Sequence, residues 1–116
     1  MNASFVQLGM FVSAWQYLKL DDEDLRALEN LIGQRPQAGK VIPGTGGVRK
    51  IRFAPPSWNR GKSGAVRVCY ACFLAGKAIF LITAYGKNKK ENLDAAEKKL
   101  YRRLLAQIEL GFPKEG

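Results

Sequence analysis

Between Asn30 and Lys90 the chain carries 12 lysines and arginines and no aspartate or glutamate. It has no histidine anywhere. Without histidine, the usual acid–base group of neutral pH and the usual zinc ligand are both missing. Without central carboxylates, a carboxylate-held Mg²⁺ is not expected either. Chemistry in the middle of the chain falls to Lys, Arg, Tyr, Ser or the thiols. Lys50 and Arg52 stand two apart in Val48-Arg-Lys-Ile-Arg-Phe53, a stretch that reads as a strand. They therefore project from one sheet face, while Ile51 and Phe53 project from the other. Arg67 on the next predicted strand and Lys87 just after the last are candidates for the same basic face. Strand parity alone leaves that open, because it depends on the pairing register.

Three other motifs have plainer readings. Cys69-Tyr-Ala-Cys72 has the C-x-x-C spacing, but on a strand residues three apart point to opposite faces. There is no second pair to complete a zinc site, so both thiols are expected in the core. Gly44-Thr-Gly-Gly47 lacks the Walker spacing and leads into a strand rather than a helix, so a tight turn is expected instead of a phosphate cradle. Trp58, between two prolines and Arg60, is placed either to stack on a base or to cover the edge of the core.

The 116 residues fit one domain spanning 1–116, with 1–4 and 112–116 expected to be loose. Hydrophobic residues make up 47%, enough for a core of its own. The net charge is +9, and all ten acids lie at or before Glu29 or at or after Glu91. A solvated surface usually mixes both signs, so a centre of one sign points to a polyanionic partner such as nucleic acid. No apolar run reaches the roughly 18 residues of a membrane helix, and no signal peptide is read. Two cysteines are too few for a disulfide scaffold, which fits a reduced, cytoplasmic protein. No cofactor and no metal are expected.

The elements that must position these residues follow from pattern. Asp21 or Asp22 caps a helix with the stripe Leu25, Leu28, Leu31 and Ile32, ending near Gly33. Phe11 to Leu18 reads as an earlier helix. Proline and glycine make a long loop of 35–47. Strands are expected at 48–53, 65–74 and 77–85, the last two joined by a tight hairpin at Ala75-Gly76. Asn92 or Asp94 caps a last helix striped by Leu93, Ala96, Leu100, Leu104 and Ile108. This is an α+β chain: two N-terminal helices, a small twisted antiparallel sheet of three to four strands, and a C-terminal helix, with the helices on one face of the sheet.

Val41-Ile-Pro-Gly-Thr-Gly-Gly-Val-Arg-Lys-Ile-Arg-Phe53, Arg60-Gly-Lys-Ser-Gly64, Arg67-Val-Cys-Tyr70 and Tyr85-Gly-Lys-Asn-Lys-Lys-Glu-Asn-Leu93 follow one another in an order that resembles the RelE/ParE toxin superfamily. The likeness is to RelE-like toxins and in particular to their HigB-type branch. The resemblance implies the toxin half of a type II toxin–antitoxin system. It implies a metal-free endoribonuclease that cuts mRNA in the ribosomal A site, with the 2′-hydroxyl attacking the adjacent phosphate to leave a 2′,3′-cyclic phosphate. Matched by position, Arg52 and Arg67 would hold the phosphate, Lys50 would help deprotonate the 2′-hydroxyl, and Tyr85 or Lys87 would assist the leaving 5′-oxygen. Arg49, Trp58, Arg60, Lys62, Lys89 and Lys90 would hold RNA or the ribosome. The implied partners are mRNA on the ribosome, ribosomal RNA and a cognate antitoxin carrying a DNA-binding domain. No membrane is implied. Asn88 stands where founding members carry an arginine, and Asp94 where they carry a tyrosine, leaving Tyr85 and Tyr101 as substitute phenols. A non-cleaving ribosome- or RNA-binding module keeps its place through those two departures. A ParE-like inhibitor of DNA gyrase is a further alternative, which the basics at Lys50, Arg52 and Arg67 disfavour.

Overall fold

Asp21 and Asp94 open helices by the same device. In the computed structural model of the chain, which describes residues 3–58, 65–86 and 93–112, the Asp21 carboxylate accepts from the Asp24 N–H at 2.8 Å. The Asp24 carboxylate accepts in return from the Asp21 N–H at 3.1 Å. Asp94 and Glu97 repeat the exchange at 2.8 and 3.0 Å. Each capping box satisfies two amides that would otherwise be orphaned and puts negative charge at the positive end of the helix. The helices they start are α2 (Asp22–Gln34) and α3 (Ala95–Gly111). An earlier helix, α1 (Gly9–Tyr17), has no side-chain cap and is held by burying Phe11 and Trp15.

The strands are β1 (Ser4–Gln7), β2 (Lys40–Val41), β3 (Arg49–Phe53), β4 (Val66–Phe73) and β5 (Ala78–Gly86). They form one sheet in the order β1-β5-β4-β3-β2. β2 through β5 pair antiparallel, and β1 lies parallel to β5. The expected antiparallel sheet of three to four strands is therefore a mixed sheet of five. Ser4, expected among the loose residues, begins its first strand, and the long loop contains β2. Both additions are edge strands: β1 pairs with a strand far away in sequence, and β2 is only two residues long, so local pattern reveals neither.

The helices divide between the two faces, rather than sharing one as expected. Phe11, Trp15, Leu28 and Ile32 from α1 and α2 pack with Phe53, Val66, Val68, Tyr70, Ile79 and Leu81. Tyr101 and Leu105 from α3 pack on the other side with Val48, Cys69, Ala71, Phe80 and Ile82. Strand alternation makes this possible: the central strands β4 and β5 are apolar on both faces along most of their length, which suits a sheet covered on both sides. The end of α3 is pinned by an edge-to-face contact of Phe112 on Phe80, with ring centroids 5.3 Å apart.

Two local features set the register. Between Cys69 and Tyr70 the pairing shifts, and Ile82 is passed over: Cys69 pairs with Thr83 and Tyr70 with Leu81. Both Ile82 and Thr83 thus lie on the α3 side, a β-bulge that reverses the parity of the rest of β5. On the opposite side, the Tyr70 hydroxyl donates to the Pro36 carbonyl at 2.8 Å and accepts from the Gly39 N–H at 2.9 Å. This fastens the 35–39 segment to the sheet.

Candidate nucleic-acid interface

Register turns the scattered basic residues into a surface. Arg52 pairs with Arg67, and Arg67 pairs with Tyr85. Directly paired residues share a face, so these three side chains form one row across β3, β4 and β5. The neighbouring row is Lys40, Lys50, Cys69 and Thr83. Both rows lie on the α3 side, because Cys69 belongs to the α3 core. Arg52 is exposed, Lys50 and Tyr85 are half-buried, and Arg67 is buried at 7% exposure. The bulge is needed for this arrangement. On an unbroken β5, Tyr85 would share a face with Ile79 and Leu81, the α1/α2 side.

α3 overlies part of the same face. Its Tyr101, one turn beyond Glu97, is buried with Cys69, and Tyr85 and Leu93 pack against that cluster. Burial pushes the Tyr101 hydroxyl up to about 12, and the charges of Cys69, Glu97 and Tyr85 push in the same direction. Burial also pushes the Cys69 thiol up to about 12; Lys50 pulls it down and Glu97 raises it further. Cys69 is therefore a protonated core thiol at neutral pH and no nucleophile. Cys72 faces the other way, 3.4 Å from the Pro36 carbonyl, and both cysteines are free.

Of the residues expected to act chemically, Lys50, Arg52, Arg67 and Tyr85 come together, and Lys87 lies outside the described residues. Of those expected to hold RNA, Arg60, Lys62, Lys89 and Lys90 also lie outside them. Arg49 is turned to the opposite face. It pairs with Tyr70 and donates to the Gly39 carbonyl at 2.7 Å and the Gln37 carbonyl at 3.1 Å. Trp58 sits in a 3₁₀ turn (Pro56–Trp58) and packs on the α1/α2 core, away from the basic rows. The glycine-rich turn is structural. Thr45 is buried, donates to the Ile42 carbonyl at 2.7 Å and accepts from the Val48 N–H at 3.0 Å. Arg102 of α3 donates to the Gly44 carbonyl at 2.6 Å, so the turn is also a fastening for that helix.

Sequence reading missed Lys40, Thr83 and Glu97 at this face, and offered Tyr101 only as a substitute phenol. Glu97 and Tyr101 carried one usable signal, their i, i+4 spacing on one side of a helix. Lys40 and Thr83 carried none before the register was known. Asp94, expected where a catalytic phenol would stand, is the N-cap of α3.

The chain is thus an α+β protein with three α-helices among its described residues and a five-stranded mixed sheet whose α3 side is basic. No family model matches it. Among solved structures, it is similar to a mutant of the E. coli toxin RelE with two arginines replaced, in the free state: TM-score 0.55 and 16% identity, covering 90% of this chain and 98% of that one. The fold is RelE-like.

Proposed function

We propose that this protein is the toxin of a type II toxin–antitoxin system, acting as a metal-independent, ribosome-dependent mRNA endoribonuclease. The observation that carries this reading is the Arg52–Arg67–Tyr85 row on one sheet face. Two guanidiniums side by side present a fork of donors suited to a phosphodiester and to the extra charge of its transition state. Lys50 in the adjoining row adds an amine group and helps take up the proton of the 2′-hydroxyl. The 2′-hydroxyl attacks the neighbouring phosphorus, the bond to the 5′-oxygen breaks, and the products are a 2′,3′-cyclic phosphate and a 5′-hydroxyl. Tyr85, beside Arg67, or Lys87 protonates the departing oxygen. The motif order over residues 20 to 105 supports the HigB-type branch. The RelE-like fold supports an antitoxin partner with acidic or amphipathic segments that cover the basic face, and a cytoplasmic site of action.

The test is cleavage coupled to translation. Purified protein is added to a programmed translation system and mRNA 5′ ends are mapped, with an Arg67→Ala, Lys50→Ala double variant alongside. Cuts at A-site codons that vanish in the variant support the nuclease. Asp94 serving as a helix cap favours a second reading, a non-cleaving ribosome binder, for which mRNA stays intact while translation stops. Intact mRNA with normal translation sinks both and directs attention to gyrase.

A further inference from the structure

We infer that the outward face of α3 is a second RNA-binding surface, on which Lys98, Lys99, Arg102 and Arg103 dock the phosphate backbone of double-helical RNA. The inference rests on the nuclease reading for the source of that RNA, the ribosomal RNA around the bound mRNA. The surface itself rests on the charges of the helix.

The four basic residues stand on two adjacent turns of α3, whose other side carries Tyr101 and Leu105 into the core. Lys99, Arg102 and Arg103 are exposed, and Lys98 is half-buried. Among the described residues, no carboxylate pairs with any of the four. The helix gains nothing from this placement. Lys98 with Arg102, and Lys99 with Arg103, are like charges four residues apart, which weakens a helix. Cations help a helix near its C-terminus, yet the last turn of α3 holds none, and Glu109 lies there instead. A charge pattern that works against its own helix is explained by a polyanion outside it.

The fold joins this face to the basic rows. Arg102 donates to the Gly44 carbonyl at 2.6 Å, which uses one of the five N–H donors of its guanidinium and fixes the group at the helix surface. The Lys98 stem lies over the same turn, where a Cβ on Gly44 would stand 3.4 Å from its Cδ. That turn leads from β2, with Lys40, into β3, with Lys50 and Arg52. Basic residues therefore run from the sheet rows across the turn to α3.

The same face selects a duplex over a single strand. Single-stranded RNA is held largely by aromatic side chains that stack on its bases. The only aromatic residue from 95 to 107 is Tyr101, and it is buried. A rigid row of cations without a stacking ring suits double-stranded RNA, which is recognised by shape and by backbone contacts.

The deciding variant is Lys99→Gln, Arg103→Gln, which leaves the Gly44 contacts of Lys98 and Arg102 in place. The control is Lys19→Asn, Arg26→Gln, which removes the same charge at two exposed positions on the α1/α2 side. Asparagine suits the positive φ of 59° at Lys19. Binding to a fluorescent RNA duplex of about 16 base pairs is followed by anisotropy over a salt series. At about 0.1 M salt the α3 variant should bind about tenfold more weakly, and the slope of log affinity against log salt should fall by about two. The control should stay within about twofold of the wild type. The α3 variant should melt no lower than the wild type, because two like-charge pairs are relieved. On programmed ribosomes its loss should fall on KM rather than kcat. An α3 variant that binds the duplex as the wild type does overturns the inference, and so does a control that loses as much. Polyglutamate is titrated in parallel. A loss confined to polyglutamate assigns the face to an acidic protein and also overturns the inference. A wild type that cuts no RNA overturns the nuclease reading alone, and duplex binding still decides the surface.

Discussion

Arg52 and Arg67 lie directly opposite each other on β3 and β4, two like charges on one sheet face in strands that carry no Asp or Glu. Such a pair costs the free protein stability, typically a few tenths of a kcal/mol up to about 1. On the proposed reading, a phosphodiester bound between the guanidiniums would remove that cost. Arg52, the exposed member, is the one to change. Arg52→Thr, which suits a strand, should raise stability by about 0.5 kcal/mol while weakening RNA binding. The salt dependence of binding should lose about one unit of slope, as for one phosphate contact removed. Denaturant unfolding and a salt titration of RNA affinity check the two halves. Lower stability together with unchanged salt dependence would mean that the pair is structural.

Tyr85 reaches this row through the bulge at Ile82 and Thr83. Its ring packs against the α3-side core, and on the proposed reading its hydroxyl would protonate the leaving oxygen. Tyr85→Phe keeps the ring and removes the hydroxyl. Cleavage should fall by about 10²-fold, the lower end of what one acid–base group contributes, with stability changed little. Single-turnover cleavage and thermal melting separate these effects. If cleavage is retained, protonation of the leaving group falls to Lys87.

Much of this arrangement could be read from residues alone, and the unread part has a common cause. The capping residues of α2 and α3, the strand at Arg49–Phe53 and the shared face of Lys50 and Arg52 are local facts, written within a few residues. β1 is four residues long, and what makes it a strand is its pairing with Ala78 to Leu81, which no local signal announces. The side on which Tyr85 emerges depends on a one-residue bulge, and two-residue alternation along β5 would place it wrongly. Arg49 read as one more basic residue, and only the fold reveals that the carbonyls of Gln37 and Gly39 occupy it. Trp58 had two readings, and its packing on the α1/α2 core selects the structural one.

Asp24 ties α2 to the segment before the basic stretch at 59–64. It is fully buried and accepts from the Ser57 N–H at 3.0 Å and the Ser57 hydroxyl at 2.6 Å, as well as from Asp21. Burial pushes its carboxyl up, but the Ser57 and Asp21 hydrogen bonds together outweigh burial and hold it below its ordinary value. Because the folded pKa is the lower one, the stabilisation is complete above the unfolded value, near pH 4, and fades as pH falls through the folded value. Asp24→Asn should cost about 1–3 kcal/mol at pH 7. The gap between variant and wild type should shrink below about pH 4, where the carboxyl of the unfolded wild-type chain takes up its proton before the folded one does. Urea unfolding at a series of pH values tests this. A gap that stays constant down to pH 2 would assign the loss to shape rather than charge.

The Tyr70 hydroxyl and Gly39 offer a test of how the loop carrying β2 is held. The hydroxyl accepts from the Gly39 N–H and donates to the Pro36 carbonyl. A Cβ at residue 39 would lie 2.8 Å from that oxygen and 2.9 Å from the neighbouring ring carbon. Gly39→Ala must therefore push the tyrosine aside, and Tyr70→Phe takes the acceptor from the buried Gly39 N–H and leaves the Pro36 carbonyl only the Cys72 thiol, at about 1–3 kcal/mol. The two losses should not add. With the hydroxyl gone, the alanine meets one obstacle fewer, so the double variant should be more stable than the sum by about 0.5 kcal/mol or more. Because β2 pairs Lys40 with Lys50, both single variants should also loosen Lys50 and slow RNA cleavage without touching the basic rows. A double-mutant cycle in urea, followed by single-turnover cleavage, measures both effects. Strict additivity would show that the loop is held by contacts other than this hydroxyl.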